Sequence, residues 1–245
     1  MVTSTDTRVT WLSLASLHNR WTLAATWRNG EQLLLLVGIP IAAFIAMTRT
    51  DLLATDTPAL VVTAVIVVLA AGFTSPAISL AFERRYGSFA FLGTTPMPRS
   101  AIIAGTLAAI TTSTLGALAV VLIAAGLLDG FGDGPSSGLT LGGIARLVLS
   151  AVLGLCAVVP WAFLVGGTVR SETVLVVANG VFVAAILFGG VLIPAGALPY
   201  GALVSWLPTG AMVELAADGT VPSIAVLLAW GLLGSALAVR LFRWR

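Results

Sequence analysis

Six stretches of this chain are apolar for long enough, or nearly long enough, to cross a lipid bilayer, and no other feature constrains its fold so strongly. The hydrocarbon core of a bilayer takes about 20 apolar residues of helix, with a range of about 17–25. The stretches run over Glu31–Met47, Ala59–Phe82, Ser100–Leu128, Leu141–Gly167, Thr173–Ile193 and Val221–Leu241. In hydrocarbon each backbone N–H and C=O must be satisfied internally, which a helix achieves within one segment. The expected fold is therefore all-α, a polytopic membrane protein with six transmembrane helices. Composition agrees: 58% of the 245 residues are hydrophobic and 9% charged, against about 25% charged in a soluble domain.

Charge placement gives the expected orientation. The twelve basic residues are all Arg. One set of loops and ends holds Arg8, Arg20, Arg28, Arg84, Arg85, Arg99, Arg170, Arg240, Arg243 and Arg245, whereas the alternate set has Arg49, with Arg146 just inside the fourth stretch. The alternate set instead collects Asp51, Asp56, Asp129, Asp133, Glu214 and Asp218. Cytoplasmic loops are the Arg- and Lys-rich ones, so both termini are expected in the cytoplasm of a protein of the cell membrane. The N-terminus does not read as a secretory signal, because its first apolar run begins late and lacks a small-residue cleavage pattern.

The complete absence of Lys excludes chemistry. A phosphate-binding G-x-x-x-x-G-K-[ST] loop needs its Lys, and Schiff-base catalysis needs one too. With His18 and Cys156 each alone in the sequence, no His/Cys metal cluster can form. We expect no catalytic residues, no bound metal or cofactor and no nucleic-acid partner.

Three segments outside the spans carry information. Residues 1–30 contain Trp11, Leu14, Leu17, Trp21 and Ala24 at helical spacing, which predicts an amphipathic helix in the cytoplasmic interface with its Trp rings at headgroup depth. Between the second and third stretches, Glu83–Arg99 reads ERRYGSFAFLGTTPMPR. A charged start, an aromatic run and a stop at Pro96 and Pro98 fit either a short docking helix or an ordinary basic loop resting on lipid. After the fifth stretch, residues 194–220 are too broken by Pro and Gly for a span and too apolar for a free loop. Non-helical backbone at membrane depth must be buried in protein or line a cavity. A re-entrant helix pair on the outer side fits, as does a loop lying on lipid.

Taken together, these segments resemble the ABC-2-type (type V) ATP-binding cassette exporter permeases, including bacterial antibiotic- and daunorubicin-resistance membrane subunits. The loop is similar to the family pattern E-x-x-x-G-[ST]-x-x-x-L-x-x-[ST]-P-x-x-R, which falls on Glu83, Gly87, Ser88, Leu92, Thr95, Pro96 and Arg99. The likeness extends to the N-terminal helix, a fifth span ending FGGVLIP, the segment LPYGALVSWLPTGAMVELAADG and a basic tail. The resemblance implies a permease domain over residues 31–245, paired with a second copy or a sister permease. It implies that ATP and Mg are bound by a separate ATP-binding subunit, which docks on a coupling helix formed by this loop. Arg84, Arg85, Tyr86 and Phe91 belong to that implied docking surface.

Within the spans, Asn179 is expected to make an interhelical hydrogen bond or a substrate contact, and Pro199, Trp206 and Pro208 are further substrate-path candidates. Glu31, Arg146 and Glu172 lie near span ends, where long side chains reach water. Few intramembrane charges point to a hydrophobic or amphiphilic substrate such as a drug, antibiotic or lipid. A membrane enzyme or redox-complex assembly factor would need a His or carboxylate constellation, and an ion-coupled secondary transporter would need intramembrane acids and a repeat; neither is evident.

Overall fold

The structure, a computed structural model, describes residues 10–49, 57–87, 98–129 and 140–241, and every regular element among them is helical. Five helices are long and apolar enough to cross a membrane. They are α3 (Ala59–Arg85), α4 (Arg99–Asp129), α5 (Leu141–Thr168), α6 (Ser171–Phe188) and α8 (Val221–Leu241). The remaining helices longer than a single turn are α1 (Trp11–Arg28), α2 (residues 30–49) and α7 (Pro208–Asp218). The expected first span falls in α2, whose apolar part, Leu36–Arg49, is shorter than the other five.

Helix α3 is the centre. From Leu60 to Leu69 every residue but Ile66 is buried, and α2, α4, α5, α6 and α7 all pack against α3. A helix apolar on all sides is what such a central position requires. Close contact needs small residues. A Cβ on Gly72 would stand 2.6 Å from Leu155 Cδ2, and one on Gly166 would stand 2.6 Å from the Ala77 carbonyl oxygen. These pairs advance together along α3 and α5, so the two helices run parallel, with Arg84 beside the end of α5. Helix α8 lies along the other side of α5, also parallel, with Gly231 against Cys156 and Gly234 against Trp161.

Two helices contain a π-helical turn, and each has the same cause. Leu34–Gly38 in α2 is followed, one residue on, by Pro40, and Ala70–Thr74 in α3 is followed in the same way by Pro76. Proline lacks the N–H that would bond four residues back and its ring crowds that carbonyl. A widened turn just before it lets the helix continue. Pro160 in α5 is handled otherwise: it deprives the Cys156 carbonyl of its helical donor, and Gly231 of α8 comes so near that a Cβ there would stand 2.6 Å from that oxygen.

Helix α6 ends at Phe188, five residues before the expected Ile193. Gly189 follows as its cap and Gly190 has φ +78°, a left-handed conformation that stops a helix. The glycine pair therefore terminates α6, and it also lets Val204 and Thr209 pack closely against it.

Candidate functional site

The described start of the Glu83–Arg99 segment, residues 83–87, closes α3. Arg84 donates from Nη1 to the Gly167 carbonyl and from Nη2 to the Val169 carbonyl at 2.6 Å. These are orphan carbonyls at the C-terminus of α5, and a cation is the natural group to cap them. Its neighbour Arg85 forms an ion pair with Glu172 at 2.8 Å, and Glu172 lies in the first turn of α6, where a negative charge suits the helix dipole. Two consecutive arginines thus tie the exit of α3 to the α5–α6 turn. The other residues point away. Glu83 is exposed and accepts a 3.2 Å bond from Ser79, Tyr86 is 75% exposed and stacks on Phe82, and Gly87 has φ +74° with open space around it. Ser88, Phe91, Leu92, Thr95 and Pro96 lie outside the described residues, as does the side chain of Arg99, whose backbone opens α4.

The segment expected to lie flat in the interface forms α1, capped by Thr10, whose side chain accepts from Ser13 N at 3.3 Å, and it lies instead along a spanning helix. It runs parallel to the first half of α4: Trp11 Nε1 donates to Ser100 at 2.9 Å, His18 Nε2 lies 3.1 Å from Thr106 Oγ1, and Trp27 lies over Gly116. The packed face carries Ala15, His18, Thr22 and Thr26, with Leu14 of the expected stripe and Leu23 half-buried beside them. Leu17 and Trp21 of the expected apolar stripe are instead exposed, at 47% and 70%. Burial lowers the His18 pKa below the ordinary imidazole value.

The four substrate-path candidates are not brought together. Asn179 is exposed halfway along α6 and donates to the Leu175 carbonyl of its own helix at 2.9 Å. Pro199 lies exposed in the turn before Gly201–Val204, while Pro208 opens α7. Trp206 is 69% exposed, and its carbonyl accepts from Trp230 Nε1 at 2.8 Å. Trp230 is the tenth residue of α8, so the chain before α7 reaches about 13 Å along α8 from Val221. The segment expected to form a re-entrant helix pair holds the single turn Gly201–Val204 and the full helix α7.

Sequence reasoning missed the polar pins that hold α7. Ser150 of α5 donates to the Met212 carbonyl at 2.8 Å, and Thr209 donates to the Gly189 carbonyl at 2.9 Å. Glu214 accepts from Ser205 and, at 3.1 Å, from Ser223. Glu214 had registered only as an outer-side acid; its two serines lie nine residues to either side, a spacing that signals nothing by itself. A cavity of about 90 Å³ lies between α3, α5 and α7, lined among others by Leu60, Arg146 and Ala216. None of the substrate-path candidates lines it.

Five helices long and apolar enough to cross a membrane, α3 central among them, make this a multi-pass membrane protein. No protein-family model matches the chain, and no match to a curated protein was found.

Proposed function

We propose that this chain is the permease subunit of an ATP-binding cassette exporter, moving a hydrophobic or amphiphilic substrate outward across the cell membrane. ATP and Mg belong to a separate ATP-binding subunit, and the permease works as a pair with a second copy or a sister chain. Both termini and the Glu83–Arg99 loop face the cytoplasm, where the ATPase docks.

The observation that carries this reading is the anchoring of the loop's start. Arg84 and Arg85 fasten the α3 exit to the α5–α6 turn, while Tyr86 and Gly87 lead outward. A push on the loop would reach three helices through short, directional contacts, which is what a coupling element requires. The loop motif supplies the reason to expect an ATPase as the source of that push.

The test is co-expression with an ATP-binding cassette subunit. Replacing Phe91 and Leu92 by Ser should lower recovery of the complex and its substrate-stimulated ATP hydrolysis, because each fully buried apolar side chain contributes about 1.5–3 kcal/mol and a docked loop buries part of that. Reversing Glu83 to Arg should act in the same direction. Normal complex yield and activity in both variants, with insertion intact, would remove the coupling role.

A further inference from the structure

Arg84 caps two carbonyls at the end of α5, and Arg85 pairs with Glu172. Arg146 does neither: among the described residues no hydrogen bond or ion pair involves it. It lies near the start of α5, at the opposite end of the bundle from Arg84. Its stem runs along Gly219, where a Cβ would stand 3.0 Å from Arg146 Cδ. Asp218 adjoins that glycine, yet it forms no ion pair with Arg146. Arg146 instead lines the cavity of about 90 Å³ between α3, α5 and α7. One water needs about 10–15 Å³ of such space, so room for a larger group adjoins the guanidinium. The residue is exposed, and a ligand can reach it from the lipid around the bundle.

We propose that Arg146 and this cavity bind the phosphodiester of a membrane phospholipid. The ligand follows from depth, charge and shape. Helix α5 has 28 residues and is about 42 Å long, against about 30 Å of hydrocarbon. A centred helix then extends about 6 Å past the core at each end. Arg146 lies about 8 Å along the helix from Leu141, which is the level of the lipid phosphates. A guanidinium presents a planar, two-pronged fork with one positive charge. A phosphodiester answers it with two unesterified oxygens that share one negative charge. Inorganic phosphate carries more charge and more oxygens, and the other described side chains lining the cavity, Leu60, Val61, Leu147 and Ala216 among them, donate nothing. The Gly143 N–H is already held by Thr140 at 3.1 Å. Those apolar walls suit the glycerol and first methylenes that a phosphodiester carries below it in a leaflet, and a free fatty acid lacks that glycerol. The site stands whether or not the chain partners an ATPase.

The full chain in nonionic detergent would be titrated with phosphatidylglycerol and its retained lipid counted by native mass spectrometry. One lipid per chain is expected. Arg146→Gln should weaken retention about tenfold, and Arg146→Lys should keep part of it. Ala217→Leu narrows the cavity, leaves the charge in place and should also lower retention. Arg240→Gln, at the other end of the bundle, should change nothing. The lipid should raise the unfolding midpoint of the native chain and not that of Arg146→Gln. Equal retention by native protein and Arg146→Gln would overturn the site, as would equal retention of diacylglycerol, which has no phosphate. Displacement by equimolar oleate would assign the cavity to a fatty acid, and displacement by millimolar inorganic phosphate would assign it to a free ion; either result overturns the phospholipid.

Discussion

At Arg84 one guanidinium closes two carbonyls of another helix, and the side chain is partly buried. Truncation to Ala leaves both carbonyls without that donor, and hydrogen bonds to charged groups contribute about 1.5–3 kcal/mol each. Arg84→Ala should therefore lower the thermal unfolding midpoint in detergent clearly. Arg84→Lys should recover only part of the loss, because an ammonium lacks the planar fork that reaches both oxygens. Arg85→Ala should change stability by under about 1 kcal/mol, since its pair with Glu172 is exposed. If Arg84→Ala unfolds at the midpoint of Arg85→Ala, the capping account of α5 fails. Glycines grade in the same physical way. Gly231→Ala forces a methyl onto the backbone oxygen of Cys156, which cannot swing aside, whereas Gly142→Ala meets nothing. The first should reduce the yield of folded protein and the second should not. Sequence showed Arg84 and Arg85 as loop charges, but their partners lie more than eighty residues onward, and no local pattern encodes that distance.

Elements were legible where one period dominated. The long apolar runs became α3, α4, α5, α6 and α8 because length and composition alone drive a chain into helix in hydrocarbon. Helix α1 was legible as a helix but not in its packing. A moment argument assumes that the apolar face turns inward, whereas in lipid small and polar residues make the helix contacts; hence Ala15, Thr22 and Thr26 face α4 while Trp21 faces out. His18 sits in that seam with its pKa lowered by burial. A lowered pKa means that the docked helix prefers neutral imidazole, so docking is at full strength above the ordinary value of about 6.5 and weakens as pH falls below it. Thr106 and the neighbouring Asn19 and Arg20 supply no carboxylate to offset the charge. Amide exchange over Trp11–Arg28 should therefore accelerate between pH 7.5 and 5 by more than the intrinsic rate accounts for, and His18→Gln should abolish the excess. Exchange that follows only the intrinsic rate in native protein would place His18 outside the docking energetics.

At the scale of the whole molecule, helix register sorts charge to two ends. The parallel run of α3, α5 and α8 gathers Arg84, Arg85, Arg170 and Arg240 at one end. Helix α7 runs antiparallel to α5, since Met212 meets Gly154 and Gly219 meets Arg146, and it carries Asp218 to the other end. Alternating loops in the sequence implied the same sorting for these residues, whereas Arg28 follows Trp27, which lies over Gly116 well along α4, and departs from it. The pins on α7 were not legible, because they depend on which carbonyls a broken segment leaves free at Met212 and Gly189. Sorting has a direct consequence for sidedness. Arg-rich ends stay on the cytoplasmic side, and the bundle has one such end. A cysteine at Thr95, in the segment between Arg85 and Arg99, should resist a membrane-impermeant thiol reagent in intact cells and react after the cells are opened. A cysteine at Ser136, in the Gly- and Asp-rich segment before α5, should react in intact cells; both substitutions belong in a Cys156→Ser background. Labelling in the opposite sense would invert the bundle, put the Arg84–Arg85 end outside, and deprive any cytoplasmic ATPase of access to the loop that follows it.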